Sequence, residues 1–186
     1  MSAGRGAEAE MTDQAEFKEK LITVLPRLRR FARLLTRCPD RADDLVQSAC
    51  LRALMRSHQW AAGSRLDSWL FAIIHSIWKN ELRAQHIRSK YAFHLADTPL
   101  PASETLPPEA GFTNRELRRA VMDLPEAQRT ALMLVYVEGY TYKEAAAILD
   151  TPIGTVMSRL ARGRLTLAER LNGDSVRVRQ DADETI

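Results

Sequence analysis

Apolar residues recur at intervals of three and four over most of this chain, the period of an α-helix seen from one side. Phe17, Leu21, Leu25, Leu28, Phe31, Ala32 and Leu35 make the first such stripe. Pro26 stands inside it. With no N–H to donate and a ring that crowds the preceding turn, it is expected to kink or divide the helix. Pro39-Asp40 opens a second helix, whose stripe is Leu45, Val46, Ala49, Ala53 and Leu54. A loop around Ala61-Ala62-Gly63-Ser64 precedes a third helix, from about Asp67 to Arg88, which carries Trp69, Phe71 and Trp78. No convincing strand-like alternation of apolar and polar residues is present.

The texture changes between Tyr91 and Phe112. Pro99, Pro101, Pro107 and Pro108 lie there among Ser, Thr, Ala and acids, the composition of a flexible linker. Helical spacing resumes at Thr113, with Glu116 three residues on and Leu117, Ala120, Val121 and Leu124 as the inner face. Pro125 starts the next helix, Ala131, Leu132 and Val135 bury it, and Gly139 ends it. The expectation is an all-α protein of two small helical domains. Residues 1–14 form an acidic N-terminal tail, 15–90 the first domain, 91–113 the Pro-rich acidic linker, 114–172 the second domain and 173–186 a C-terminal tail.

Residues 141–164 are the most informative stretch. Thr141 and Glu144 have the spacing of a capping box, and Ala145, Ala146, Ile148 and Leu149 supply a buried face behind it. Asp150-Thr151 makes a tight turn. Thr151 is then placed to cap a second helix with Pro152 at its first position, where the missing N–H costs nothing. At 100° per residue Val156, Leu160, Gly163 and Leu167 share one side of that helix. Thr155, Ser158 and Arg162 share the other, with Arg159 and Arg164 on the flanks. A helix buried on one face and offering Thr, Ser and Arg on the other suits the major groove of DNA. A plain αα-hairpin with solvated arginines fits the same window.

Charge favours a polyanion partner. The net charge is +3, but residues 17–94 hold 15 Lys/Arg against 6 Asp/Glu, a local +9. The tails and linker are acidic, and residues 114–172 stand at +2. A +9 segment of 78 residues is the electrostatic footprint of a nucleic-acid binder. No apolar run approaches the ~18–20 residues that span a bilayer, and the N-terminus has no signal-peptide core, so a cytoplasmic protein without membrane insertion is expected. His58, His75, His86 and His94 form neither a metal nor a triad spacing, and no glycine-rich phosphate loop is present. Neither an enzyme nor a metal or cofactor site is indicated. Cys38 and Cys50 have no ligand spacing; Cys50 is most simply a small core residue.

Certain residues also resemble a known family. Leu124-Pro125, Arg129, Glu138-Gly139, Tyr140-Thr141, Glu144-Ala145-Ala146 and Gly154-Thr155-Val156-x-Ser158-Arg159-x-x-Arg162-x-Arg164 are similar to region 4 of bacterial extracytoplasmic-function (ECF) sigma factors of the sigma-70 family. Ala42-Asp43-Asp44-Leu45-Val46-Gln47 and the Trp69-Leu70-Phe71 helix, continuing through Asn80, Leu82 and Arg83, resemble region 2. The resemblance covers about residues 17–92 and 114–172. It implies a protein that binds core RNA polymerase, recognises two promoter elements and helps to open the DNA, in a stress or envelope response.

By that resemblance Thr155, Ser158, Arg159, Arg162 and Arg164 meet the duplex −35 element. Thr155, Ser158 and Arg162 are candidates for base edges or backbone, and Arg159 and Arg164 for phosphates. The −10 element, read as single-stranded bases, falls to the Trp60–Asp67 loop, with Ser64, Arg65 and Asp67, and to Lys79, Asn80 and Arg83 on the following helix. An unstacked base recovers about 1–3 kcal/mol from a stacking platform or snug pocket. Core packing competes for Trp69, Phe71 and Trp78. Asp44 and Gln47, three apart on one helical face, would meet the clamp helices of the largest polymerase subunit. An anti-sigma factor that occludes both domains is the implied regulator. Met157 departs from the family, in which Lys or Arg is frequent there. Ser48 replaces a frequent acid, and Asp150 occupies a turn position where glycine is common. The 23 linker residues reach at most roughly 80 Å, enough for two helical turns of DNA at about 70 Å. A helix-turn-helix regulator that binds duplex DNA without polymerase is the alternative.

Overall fold

The computed structural model describes the backbone of residues 3–60, 64–91 and 112–183, and side chains within 14–60, 64–89 and 116–171. The chain divides into two units, residues 1–103 and 104–186. Helix is the only regular secondary structure among the described residues.

The first unit packs three helices against one another: α1 (Ala3–Thr36), α2 (Pro39–Met55) and α3 (Leu66–Tyr91). Its centre is built from Leu28, Phe31 and Ala32 of α1, Leu45 and Ala49 of α2, and Leu70, Phe71 and Ile74 of α3, all essentially inaccessible to water. The Phe31 and Phe71 rings meet edge to face at 4.9 Å, the arrangement their quadrupoles favour. Ala42, Ala49 and Ala53 are fully buried, small residues that let α2 approach its neighbours closely.

Pro26 neither divides α1 nor ends it; the helix runs through without interruption. Pro26 lies on the exposed side of the helix, as does Ile22, whose carbonyl loses its N–H partner. Leu54 is not in the buried stripe. It sits 100° round from Ala53, off the face centred on Ala42, Ala49 and Ala53. Phe71 and Trp78 are core residues, whereas Trp69 is half-buried and meets Phe17 edge-on at 6.3 Å.

Between α1 and α2 the chain reverses through Arg37, which adopts a left-handed conformation (φ 55°). The Thr36 hydroxyl donates to the Cys38 carbonyl at 2.9 Å and accepts from the Cys38 N–H at 3.3 Å, and Pro39 then starts α2 where no N–H is needed.

The second unit comprises α4 (Phe112–Met122), α5 (Glu126–Leu132), a π-helical turn (Met133–Val137), α6 (Tyr142–Ile148) and α7 (Ile153–Asp183). α7 packs against α4, α5 and α6. Gly163 lies in the α5–α7 seam, where a Cβ would come within 2.9 Å of Leu132 Cδ1. Leu117, expected on the inner face of α4, is exposed, while Ala120 and Leu124 are buried. Arg129 is 2% exposed. Its Nη1 donates to the carbonyls of Met122 and Leu124, both at 2.9 Å, so one buried cation satisfies backbone oxygens left over where α4 ends.

The helix expected from Pro125 to Gly139 widens near its end. The Glu138 N–H reaches back five residues to the Met133 carbonyl at 3.0 Å, the π pattern, and leaves Tyr136 and Val137 exposed. Gly139 then turns the chain with φ 73°, a conformation a side chain would oppose.

Candidate nucleic-acid interface

Local hydrogen bonding builds the α6–α7 corner. The Thr141 N–H and hydroxyl both donate to Glu144 Oε2 at 2.8 Å, and the Glu144 N–H donates to Thr141 Oγ1 at 3.2 Å. This is the reciprocal capping box that the spacing predicts. After α6, Asp150 takes a left-handed conformation (φ 48°), tolerable for a short polar side chain. The Thr151 N–H donates to the Ala146 carbonyl at 3.1 Å and closes the turn. One detail differs from expectation. The Pro152 carbonyl accepts from the N–H groups of Thr155 (2.9 Å) and Val156 (3.3 Å), so the proline, not Thr151, occupies the cap position and Ile153 is the first residue of α7.

α7 is anchored by Val156 and Leu160, both fully buried, and by Gly163. Opposite them Ser158 and Arg162 are exposed on consecutive turns. Arg164 is exposed on one flank; Thr155 and Arg159 are half-buried on the other. The Ser158 hydroxyl donates to the Thr155 carbonyl at 3.0 Å, which leaves its oxygen free to accept. The five candidates therefore sit on one helix with two exposed residues at the centre and three cations in reach.

In the first unit the candidates separate into three groups. Lys79 is half-buried on α3, with Asn80 and Arg83 exposed beside it. Ser64 and Arg65 are exposed at the start of α3. Asp67 is instead mostly enclosed: its carboxylate accepts from Arg27 Nη1 at 2.8 Å, from Arg65 Nη2 at 3.1 Å and from the Ser68 N–H at 2.8 Å. It ties the start of α3 to α1. The Trp60 end of the loop is also held from α1, by Phe17 at 5.8 Å and by the Lys20 ammonium 5.1 Å above the indole. Residues 61–63 lie outside the described residues.

Asp44 and Gln47 are exposed on α2. Leu51 and Met55, the latter 79% exposed, continue the same face one and two turns on. Sequence reasoning missed this apolar extension, although the four-residue spacing Gln47, Leu51, Met55 was a visible signal.

Comparison with known proteins fixes the family. Residues 114–167 match Sigma-70, region 4, and residues 21–75 match the Sigma2 domain of PhyR. The ECF RNA polymerase sigma factor EcfG of Rhodopseudomonas palustris is 36% identical over 161 residues, spanning 84% of this chain and 86% of the relative. The chain belongs to the ECF RNA polymerase sigma factors. The ECF sigma-E factor of Haemophilus influenzae is 31% identical over 184 residues, covering 89% of this chain and 94% of that one. Among solved structures, the sigma factor RpoE of Bartonella quintana, crystallised with the anti-sigma factor NepR, superposes with a TM-score of 0.71 at 30% identity, over 84% of this chain and 97% of that one. An ECF sigma factor is a transcription initiation factor, and with both units matching sigma regions the polymerase-independent regulator is not favoured. No helix among the described residues is long and apolar enough to cross a membrane.

Proposed function

We propose that this ECF sigma factor directs core RNA polymerase to its promoters through three separate surfaces and works in the cytoplasm without catalysing a reaction itself. The recognition helix α7 enters the major groove of a duplex −35 element. Ser158, Arg162 and Thr155 face base edges or nearby backbone, and Arg159 and Arg164 meet phosphates. Lys79, Asn80 and Arg83 on α3, with Ser64 and Arg65 at its start, take the single-stranded −10 element. Asp67 serves this surface by positioning, since its carboxylate is committed to Arg27 and the start of α3. Asp44, Gln47, Leu51 and Met55 form the face of α2 that docks on the clamp helices of the largest polymerase subunit: an acid and an amide beside exposed apolar side chains. Residues 92–111 of the linker lie outside the described residues; its acidity and length suit a tether that avoids DNA. The observation that carries the proposal is the α6–α7 corner, an internally capped helix-turn-helix with an arginine-rich face, in a chain whose other unit contains the +9 segment 17–94.

An anti-sigma factor of the NepR type is the partner this reading favours, because a sigma factor sharing 30% of its sequence was solved with NepR. The stress or envelope response implied by the family resemblance is part of this reading. The decisive experiment is transcription in vitro. Purified chain with core polymerase is expected to yield promoter-specific transcripts that neither yields alone, and a NepR-type protein is expected to suppress them. Binding of closed duplex by the chain without polymerase, with no new transcript, would refute the proposal.

A further inference from the structure

Ile153, Met157, Ala161 and Leu165 follow one another at four-residue intervals along α7, and all are exposed, Ile153 by 48%, Met157 by 51% and Leu165 by 62%. Four steps of 100° set each residue 40° further round than the last, so they form a slanting apolar ridge. The ridge begins at the border of the core face, Ile153 about 20° from the direction of Leu160, and winds away from it, so that its members stay exposed while Val156, Leu160 and Gly163 are buried. The row Gly154, Ser158, Arg162 runs immediately beside the ridge, and Arg164 lies at nearly the same angle as Met157. Two arginines next to an exposed apolar pair fit an anionic surface with local apolar features better than the apolar patch of another protein. The major groove is such a surface: its apolar feature is the C5-methyl group of thymine. Ile153 and Met157 also belong to the first turns of α7, the part of a recognition helix that reaches base edges, whereas Leu165 is three turns from its start.

We propose that Met157, supported by Ile153 one turn earlier, reads a thymine methyl group in the upstream duplex, next to the base met by Ser158 or Arg162. The inference rests on the −35 assignment of α7 made above. It gives the position where relatives frequently carry a cation a definite task, exchanging a salt-dependent phosphate contact for an apolar, base-selective one.

The test removes single methyl groups. On a promoter mapped from its transcription starts, each thymine of the upstream element is replaced in turn by uracil, on either strand, and binding by the chain with core polymerase is measured. One replacement is expected to weaken binding roughly three- to fourfold, the worth of one buried methyl. M157A, at an exposed helical position where alanine is a good helix former, should bind more weakly and lose sensitivity to that uracil, and I153A should reduce the sensitivity. Unchanged binding at every uracil template, or a full uracil penalty in M157A, would overturn the proposal while leaving the −35 assignment intact; the ridge would then belong to a protein partner. Absence of any promoter-specific binding by the unaltered chain with core polymerase would overturn both.

Discussion

The Cβ that Gly163 lacks would stand 2.9 Å from Leu132 Cδ1, with Gln128 Cβ 3.5 Å away. This close approach of α7 to α5 fixes how far the recognition helix projects from the second unit. The obstructing atom is the end of a leucine side chain, which can yield slightly, and an alanine recovers up to about 1 kcal/mol of helix propensity. Gly163→Ala is therefore expected to change stability by less than about 1 kcal/mol. Gly163→Leu must separate the helices and should cost about 1–3 kcal/mol and weaken −35 binding with it. Denaturant unfolding followed by far-ultraviolet circular dichroism checks both. Trp60, Trp69 and Trp78 all lie in the first unit, so the tryptophan-fluorescence transition should stay in place.

The Arg27–Asp67 pair joins residues forty positions apart, and the aspartate side chain is only 13% exposed. Removing one member of such a pair leaves the other partly buried without its counter-charge. Asp67→Ala also releases the Ser68 N–H, and it is expected to destabilise the first unit by about 2–3 kcal/mol. Asp67→Asn keeps an acceptor for Ser68 and should cost less. Tryptophan fluorescence reads this unit directly. A transition unmoved in Asp67→Ala would show that the pair only decorates the surface.

What could be read from the sequence follows the range of each interaction. The Thr141–Glu144 capping box and the buried Val156–Leu160 face depend on residues a few positions apart, and spacing alone reveals them, whereas the special turn position of Asp150 was marked by the family resemblance. Pro26 does not divide α1, because it lies on the exposed side of that helix, a tertiary fact that spacing does not carry. Leu117 has the right angle on α4 but lies where no neighbour covers it. The π-helical turn at Met133–Val137 lies under a helical pattern of the usual period and has no sequence signal of its own. Asp67 looked like a loop acid available to DNA; its partner Arg27 comes from another helix, and nothing local names it. For the same reason Arg129 could be recognised only by resemblance, since its two carbonyl acceptors mark where another helix ends.

Cys50 is half-buried on α2, and desolvation raises its thiol above the ordinary value of 9.0, with the positive Arg29 offsetting part of the effect. A raised value in the folded state means that folding favours the neutral thiol. That contribution is intact below the unfolded value and is lost as pH climbs through the folded one, so any pH dependence from this group appears only in alkaline solution. At neutral pH Cys50 should alkylate with iodoacetamide much more slowly than in denaturant, by roughly an order of magnitude or more, since the thiolate is the reactive form. Equal rates in the two conditions, measured by peptide mass mapping, would rule out the shielding.

Arg162 and Arg164 are both exposed on α7 but occupy different faces, and this predicts different losses. Arg162 lies opposite Leu160, in the row of Ser158, where a guanidinium can make a bidentate contact with a guanine edge. Arg162→Ala should cost about 1–3 kcal/mol of promoter affinity and relax selectivity at a single position of the −35 element. Arg164 stands on the flank, where a phosphate is the reachable partner. Arg164→Ala should weaken binding to all sequences by a similar factor and lower the slope of log affinity against log salt by about one. Titrations with core polymerase at several salt concentrations, on the promoter and on single-base variants of it, separate the two. If the salt slope falls in Arg162→Ala and base selectivity relaxes in Arg164→Ala, the two roles are exchanged and α7 sits rotated in the groove, with the side shared by Arg164 and Met157 turned toward the bases.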